Sequence, residues 1–209
     1  MNYFGHAAVA SWRSRDGAVA LGAMLPDFAS MCGARLAPAD DGDVAEGIAL
    51  HHATDAVFHQ LPAVIGLMRE LDARLEELGC ARGPRRAVAH IGIELLLDGV
   101  LVDDVGYRAS YLAGIEADPT GVHWRDETGP VRFAALVERL RSYGVPDDLR
   151  DATSITHRLQ RILGHRPLLA PSPDDLHAIR IALVEQQPRV AIASEIVLRG
   201  VRANLARKT

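Results

Sequence analysis

Residues 46–62 read EGIALHHATDAVFHQLP, and residues 83–104 read GPRRAVAHIGIELLLDGVLVDD. The first stretch sets His51, Asp55 and His59 at steps of four, and the second sets His90, Glu94 and Asp98 at the same steps. A helix turns about 100° per residue, so a step of four drifts by only about 40° and each triplet runs along one stripe of its helix. Ile48, Leu50, Val57 and Phe58 surround the first stripe, and Ile91, Ile93, Leu95, Leu96 and Leu97 surround the second. Ionisable groups in such apolar runs are costly to bury unless they are paired or hold a metal. A single His–Asp pair at i, i+4 is ordinarily a helix-stabilising contact. Two complete triplets point further, to facing helices that form a mixed nitrogen and oxygen cage for one or two divalent ions. Asp103 and Asp104 read as the end of the second helix rather than as ligands.

The rest of the chain supports a helical frame for that cage. With 209 residues, 48% of them hydrophobic, it is long enough to bury a sizeable core, and residues 1–209 read as a single domain. Aromatics are only 5%, and β-branched runs are few, which favours an all-α protein. Apolar spacing at helical period divides it into a bundle of about seven to nine helices. A net charge of −4 offers no footprint for nucleic acid. Two cysteines without a CxxC pair suggest neither a disulfide framework nor a thiolate zinc site. No basic segment followed by an apolar run opens the chain, and no apolar run nears the roughly 20 residues of a membrane span. The expectation is a cytoplasmic protein with no membrane partner.

Along the chain, the apolar segment Met1–Trp12 places His6 early, where a lone histidine is ordinarily a core or surface residue. A short helix over AVALGAMLPDF should break near Pro26. Asp27 follows, either as a cap for the next turn or as a carboxylate aimed at a metal. Met31–Asp43 reads as a loop in which Asp40, Asp41 or Asp43 can cap the first ligand helix. Pro62 opens a packing helix with Val64, Leu67, Met68, Leu71, Leu75 and Leu78, closed by Gly79. Arg85 and Arg86 lie in the first turn of the second ligand helix, where positive charge opposes the helix dipole. Helices follow over Tyr107–Ile115, Val131–Tyr143 and Asp147–Leu163. A last helix, opened by Ser172-Pro173-Asp174-Asp175, runs to about Ala206 with a kink at Pro188.

Several of these segments, taken in order, resemble the acyl carrier protein phosphodiesterases, a divergent branch of the HD-domain phosphohydrolases. Asn2-Tyr3-Phe4-Gly5-His6 resembles that family's opening, and Gly22 through Asp27-Phe28 resembles its Gly-Asn-x-x-x-Asp-Phe segment. Gly47-Ile48, His51, Asp55 and Leu61-Pro62 match its next motif in type and spacing, Glu94 to Asp98 resembles its Asp-x-x-x-Asp helix, and Arg166-Pro167-Leu168-Leu169 echoes a late Arg-Pro-x-Leu. There are departures. Ala23 stands in place of Asn, Phe58-His59 in place of Thr-Asp, and Gly99 in place of the His that follows the second Asp. His59 and His90 fall on the ligand stripes and can compensate.

The resemblance implies an HD-like helical fold and a manganese- or magnesium-dependent hydrolase. Its substrate would be the phosphodiester that joins 4′-phosphopantetheine to a serine of holo-acyl carrier protein. The candidate metal ligands are then His6, Asp27, His51, Asp55, His59, His90, Glu94 and Asp98, a donor set that also admits Fe2+ or Zn2+. Asp27 would ligate metal or orient water, and Arg158 and Arg166 would neutralise phosphate charge. The groups Arg82, Arg85, Arg86 and Arg158, Arg161, Arg166 would flank the mouth of the site and meet an acidic protein substrate. Two alternatives stand beside this reading: a helical phosphoesterase resembling the zinc-dependent phospholipases C, and a non-hydrolytic di-metal carboxylate and histidine protein. The second is disfavoured because neither ligand helix carries the Glu-x-x-His of di-iron bundles. A serine hydrolase is disfavoured because there is no GxSxG elbow.

Overall fold

The computed structural model describes residues 1–40 and 42–207, so Asp41, one of the candidate caps, lies outside the described residues. The described chain is all-α. It forms nine α-helices: α1 Tyr3–Ala10, α2 Gly17–Cys32, α3 Asp43–Phe58, α4 Pro62–Glu77, α5 Arg82–Leu101, α6 Val105–Glu116, α7 Gly129–Tyr143, α8 Ala152–Leu163 and α9 Pro173–Leu205. No helix among the described residues is long and apolar enough to cross a membrane. The contacts of the chain divide into two compact units. Unit 1 is Met1–Ala56 with Leu101–Pro146, and unit 2 is Val57–Val100 with Asp147–Thr209.

Unit 1 is built on α1. All eight of its residues are buried, and it packs on α2 and α6. Tyr3 lies against Phe28 of α2 and Tyr111 of α6, and the Ser110 hydroxyl donates to the carbonyl of Ala7. Asp16 caps α2 by accepting from the backbone N–H of Ala18, and Gly33, at φ +60°, closes it in the left-handed conformation that favours glycine. The break expected at Pro26 does not occur, because α2 runs through it to Cys32. Proline removes one intrahelical donor, but that loss is local. Leu21, Ala23, Met24, Leu25, Phe28 and Ala29 on both sides of it are buried and hold the helix to its course. The crossing of α2 and α3 is tight. A Cβ on Gly22 would stand 2.2 Å from the Val44 carbonyl oxygen, and one on Gly47 would stand 2.3 Å from that of Val19. Only glycine lets the two backbones approach this closely.

In unit 2, α4 and α8 both pack on α9. Pro62 opens α4, and Gly79 follows its end at φ +80°. The helix expected over Asp147–Leu163 is instead a 3-10 turn, Asp147–Arg150, followed by α8. Asp151 interrupts it, because its carboxylate caps α8 by accepting from the backbone N–H groups of Thr153 and Ser154. Ser172 and Asp175 form a reciprocal capping box at the start of α9. The carboxylate of Asp175 also accepts from the backbone N–H of Ala81, which ties the start of α5 to that of α9. The helix runs on past Pro188 to Leu205. Cys32 and Cys80 are free thiols.

Candidate metal centres

The structure gathers two sets of metal-ligating side chains, one in each unit. In unit 1, ligand atoms of His6, Asp27 and His51 lie within 4.8 Å of one another. They come from three helices, α1, α2 and α3. The Gly22–Gly47 crossing explains two of the three, since Asp27 and His51 each lie about one turn beyond it on their own helices. His6 and His51 stack with ring centroids 3.8 Å apart and planes at 27°. Asp55, one turn after His51, adds its carboxylate. Oδ1 lies 3.3 Å from His6 Nε2, and Oδ2 lies 3.6 Å from His51 Nε2. The Met1 ammonium donates to Asp55 Oδ1 at 2.7 Å.

Protonation in this group follows from burial. His6 is 1% exposed and His51 5%. Loss of solvent pushes the His51 imidazole down to about 3, and the neighbouring His6 ring adds to the effect. Burial likewise lowers His6, partly offset by its contact with Asp55. Burial alone would raise the Asp55 carboxyl. The His6 contact and the Met1 ammonium outweigh it and hold the group well below the usual carboxylate range. At neutral pH the cluster is therefore two neutral imidazoles beside ionised Asp55.

The tautomer of His51 is fixed by a backbone atom. Its Nδ1 lies 2.9 Å from the carbonyl oxygen of Ala23. A carbonyl can only accept, so Nδ1 carries the proton and Nε2 presents its lone pair. That nitrogen lies 3.6 Å from Asp55 Oδ2, itself an electron-pair donor. Two such donors this close together favour a cation, and a backbone carbonyl behind the imidazole is the usual support for a metal-bound histidine. The residues present therefore fit a divalent ion.

In unit 2, ligand atoms of His59, His90 and Glu94 lie within 4.8 Å of one another. His90 Nε2 is 3.1 Å and His59 Nε2 is 3.5 Å from the same oxygen, Glu94 Oε1. The two rings are 4.7 Å apart. Glu94 is buried, whereas the side chains of His59 and His90 are 31% and 51% exposed. Burial would raise the Glu94 carboxyl, but its hydrogen bond to His90 is the largest opposing contact and the group titrates below its usual range.

The sequence stripes are thus regrouped. His59 joins His90 and Glu94, because α3 ends at Phe58 and His59 lies in the turn that follows, outside the helix. Pro62 forces the end by disfavouring helical backbone at Leu61, which sits at φ −66°, ψ 127°. Asp98 lies one turn beyond Glu94 on α5, fully buried, and belongs to neither group. Two of the arginines expected to serve an anionic substrate are engaged with carboxylates of the chain itself. Arg158 makes a bidentate pair with Asp148 at 2.6 and 3.0 Å. Arg85 pairs with Asp72 at 3.1 Å and with Glu76. Arg166 is exposed in the turn after α8. The Ala23 carbonyl and the Met1 ammonium escape a sequence reading because they are backbone groups without a side-chain signature.

Comparison of the chain with protein-family models, with curated proteins and with solved structures gives no match.

Proposed function

We propose that this chain is a metal-dependent phosphohydrolase acting on a phosphodiester, with His6, Asp27, His51 and Asp55 of unit 1 as its metal-holding residues. The observation that carries the reading is the approach of His51 Nε2 to Asp55 Oδ2, two electron-pair donors 3.6 Å apart, with the Nδ1 of the imidazole engaged by the Ala23 carbonyl. A divalent ion held there supplies a Lewis acid that neutralises phosphoryl charge and lowers the pKa of bound water. Burial keeps His6 and His51 as neutral donors. Asp27 is half-buried and brings a second carboxylate to the cluster, suited to orienting a water molecule. Mn2+ or Mg2+ suits the carboxylates, and the two imidazoles also accept Fe2+ or Zn2+.

The motifs around His6, Asp27, His51 and Asp55 support the 4′-phosphopantetheine diester of holo-acyl carrier protein as the substrate. The test is incubation of metal-reconstituted protein with a generic aryl phosphodiester and, separately, with holo-acyl carrier protein, the latter followed by intact mass. Turnover of the aryl diester that is abolished in His51→Ala supports the hydrolase. Loss of the phosphopantetheine mass supports the carrier-protein substrate. Turnover without that loss rejects the substrate alone, and no turnover with Mn2+, Mg2+, Fe2+ or Zn2+ rejects the hydrolase.

A further inference from the structure

We infer that His59, His90 and Glu94 of unit 2 form a metal site of their own, selective for a borderline transition ion such as Zn2+ or Co2+ over Mg2+ and Mn2+, and open on one side to an anionic ligand. The inference rests on none of the four residues proposed above to hold the metal of the hydrolase.

The site is preorganised. His90 and Glu94 are fixed at i, i+4 on α5, so their spacing is set by helix geometry. His59 is held by the turn between Phe58 and Pro62. The Phe58 ring, fully buried, meets it edge-on at 5.1 Å. Glu94 lies beneath both imidazoles, and one of its oxygens is within 3.5 Å of both Nε2 atoms. A single ion in place of the imidazole protons would satisfy all three groups together. In donor type the set is two nitrogens and one oxygen. Two imidazoles and a carboxylate are the ligands of an open zinc site, whereas Mg2+ and Ca2+ take oxygen donors.

Exposure sets the accessibility. The buried carboxylate closes the inner side, while the 31% and 51% exposed imidazoles leave an outer side facing solvent. Three protein ligands leave at least one coordination position there, which water or an anionic oxygen can take.

The full-length chain is stripped with chelator and titrated with Co2+, following the visible d–d absorption, then with Zn2+ in competition. The wild type should bind a Co2+ equivalent with an intense four- or five-coordinate band. Zn2+ should displace it, and a hundredfold excess of Mg2+ should not. His90→Ala and Glu94→Gln should each weaken that equivalent at least tenfold, and His51→Ala should retain it. Because His90 is half exposed, its truncation leaves the core intact, and helical circular dichroism checks this. His59→Gln provides a third variant that alters no buried group. Addition of inorganic phosphate should shift the band. Wild-type affinity and spectrum in His90→Ala, Glu94→Gln and His59→Gln would overturn the site, and displacement by Mg2+ would overturn its selectivity. Retained Co2+ binding in a protein that hydrolyses no diester would leave this inference standing and reject the function proposed above.

Discussion

The two histidine–carboxylate groups are built in opposite ways. That of unit 1 draws on three helices and places both imidazoles out of solvent. That of unit 2 draws on one helix and one turn, buries only its carboxylate and leaves its imidazoles at the surface. A local site needs little more than the period of a helix. A buried site needs helices brought close enough for their side chains to meet, which here depends on glycine against glycine, and it must hold its histidines neutral. The first design costs little in desolvation, and the second places electron-pair donors in a medium where they strongly favour a cation.

The largest expected effect breaks the buried group directly. His51→Ala removes the fixed Nε2 donor, and kcat/KM toward an aryl phosphodiester should fall by more than ~100-fold, the upper range for disturbing even an outer-shell partner of a metal. Retained activity in steady-state assays would show that the buried group is not the working site. The unit-2 Co2+ spectrum should be unchanged in the same variant.

Next in size is the helix crossing. Gly47→Val puts a side chain where a Cβ alone would stand 2.3 Å from the Val19 carbonyl oxygen, which should destabilise the protein by about 3 kcal/mol in urea unfolding. Gly66→Ala in α4 is the control, because nothing lies within 4 Å of its Cβ position. It should be neutral or stabilising by up to ~1 kcal/mol. If both variants unfold at the wild-type midpoint, the crossing does not hold unit 1 together.

The pH dependence of the metal-free protein separates the groups further. His51 titrates near about 3 in the native state, against an ordinary histidine value of 6.5 when unfolded. Between those values the unfolded chain takes up a proton that the native state refuses. Stability should therefore be fully present above about pH 6.5 and fall as pH drops toward 3, with a slope approaching about 1.4 kcal/mol per pH unit for one proton. His51→Gln should reduce that slope and leave the part that His6, also lowered by burial, contributes. An unchanged slope in His51→Gln would place the linkage elsewhere.

The smallest effect concerns the arginine expected to meet substrate. Arg158 is held by Asp148 in a pair whose side chains are 17% and 27% exposed. Arg158→Ala should lower stability by about 1 kcal/mol and leave kcat unchanged. A tenfold loss of kcat with normal stability would return Arg158 to the chemistry.

What lies within one or two turns of helix was legible in the residues. The all-α class followed from apolar period and few β-branched runs. The pairs His51–Asp55 and His90–Glu94 followed from i, i+4 spacing, because bond geometry fixes where side chains one turn apart must point. The motif order singled out His6 and Asp27 as well. The tertiary structure decided which donors meet. It brought His6 to His51 by burying α1 against α2, and Asp27 to His51 through the Gly22–Gly47 contact. It let α2 and α9 run through Pro26 and Pro188, where packing outweighs a single lost hydrogen bond. It carried His59 off its stripe at the end of α3, left Asp98 outside both groups, and gave Arg158 to Asp148. Local spacing is covalent and is written in the order of residues. Convergence across helices depends on how closely backbones pack and where each helix stops, and both are set by the whole fold.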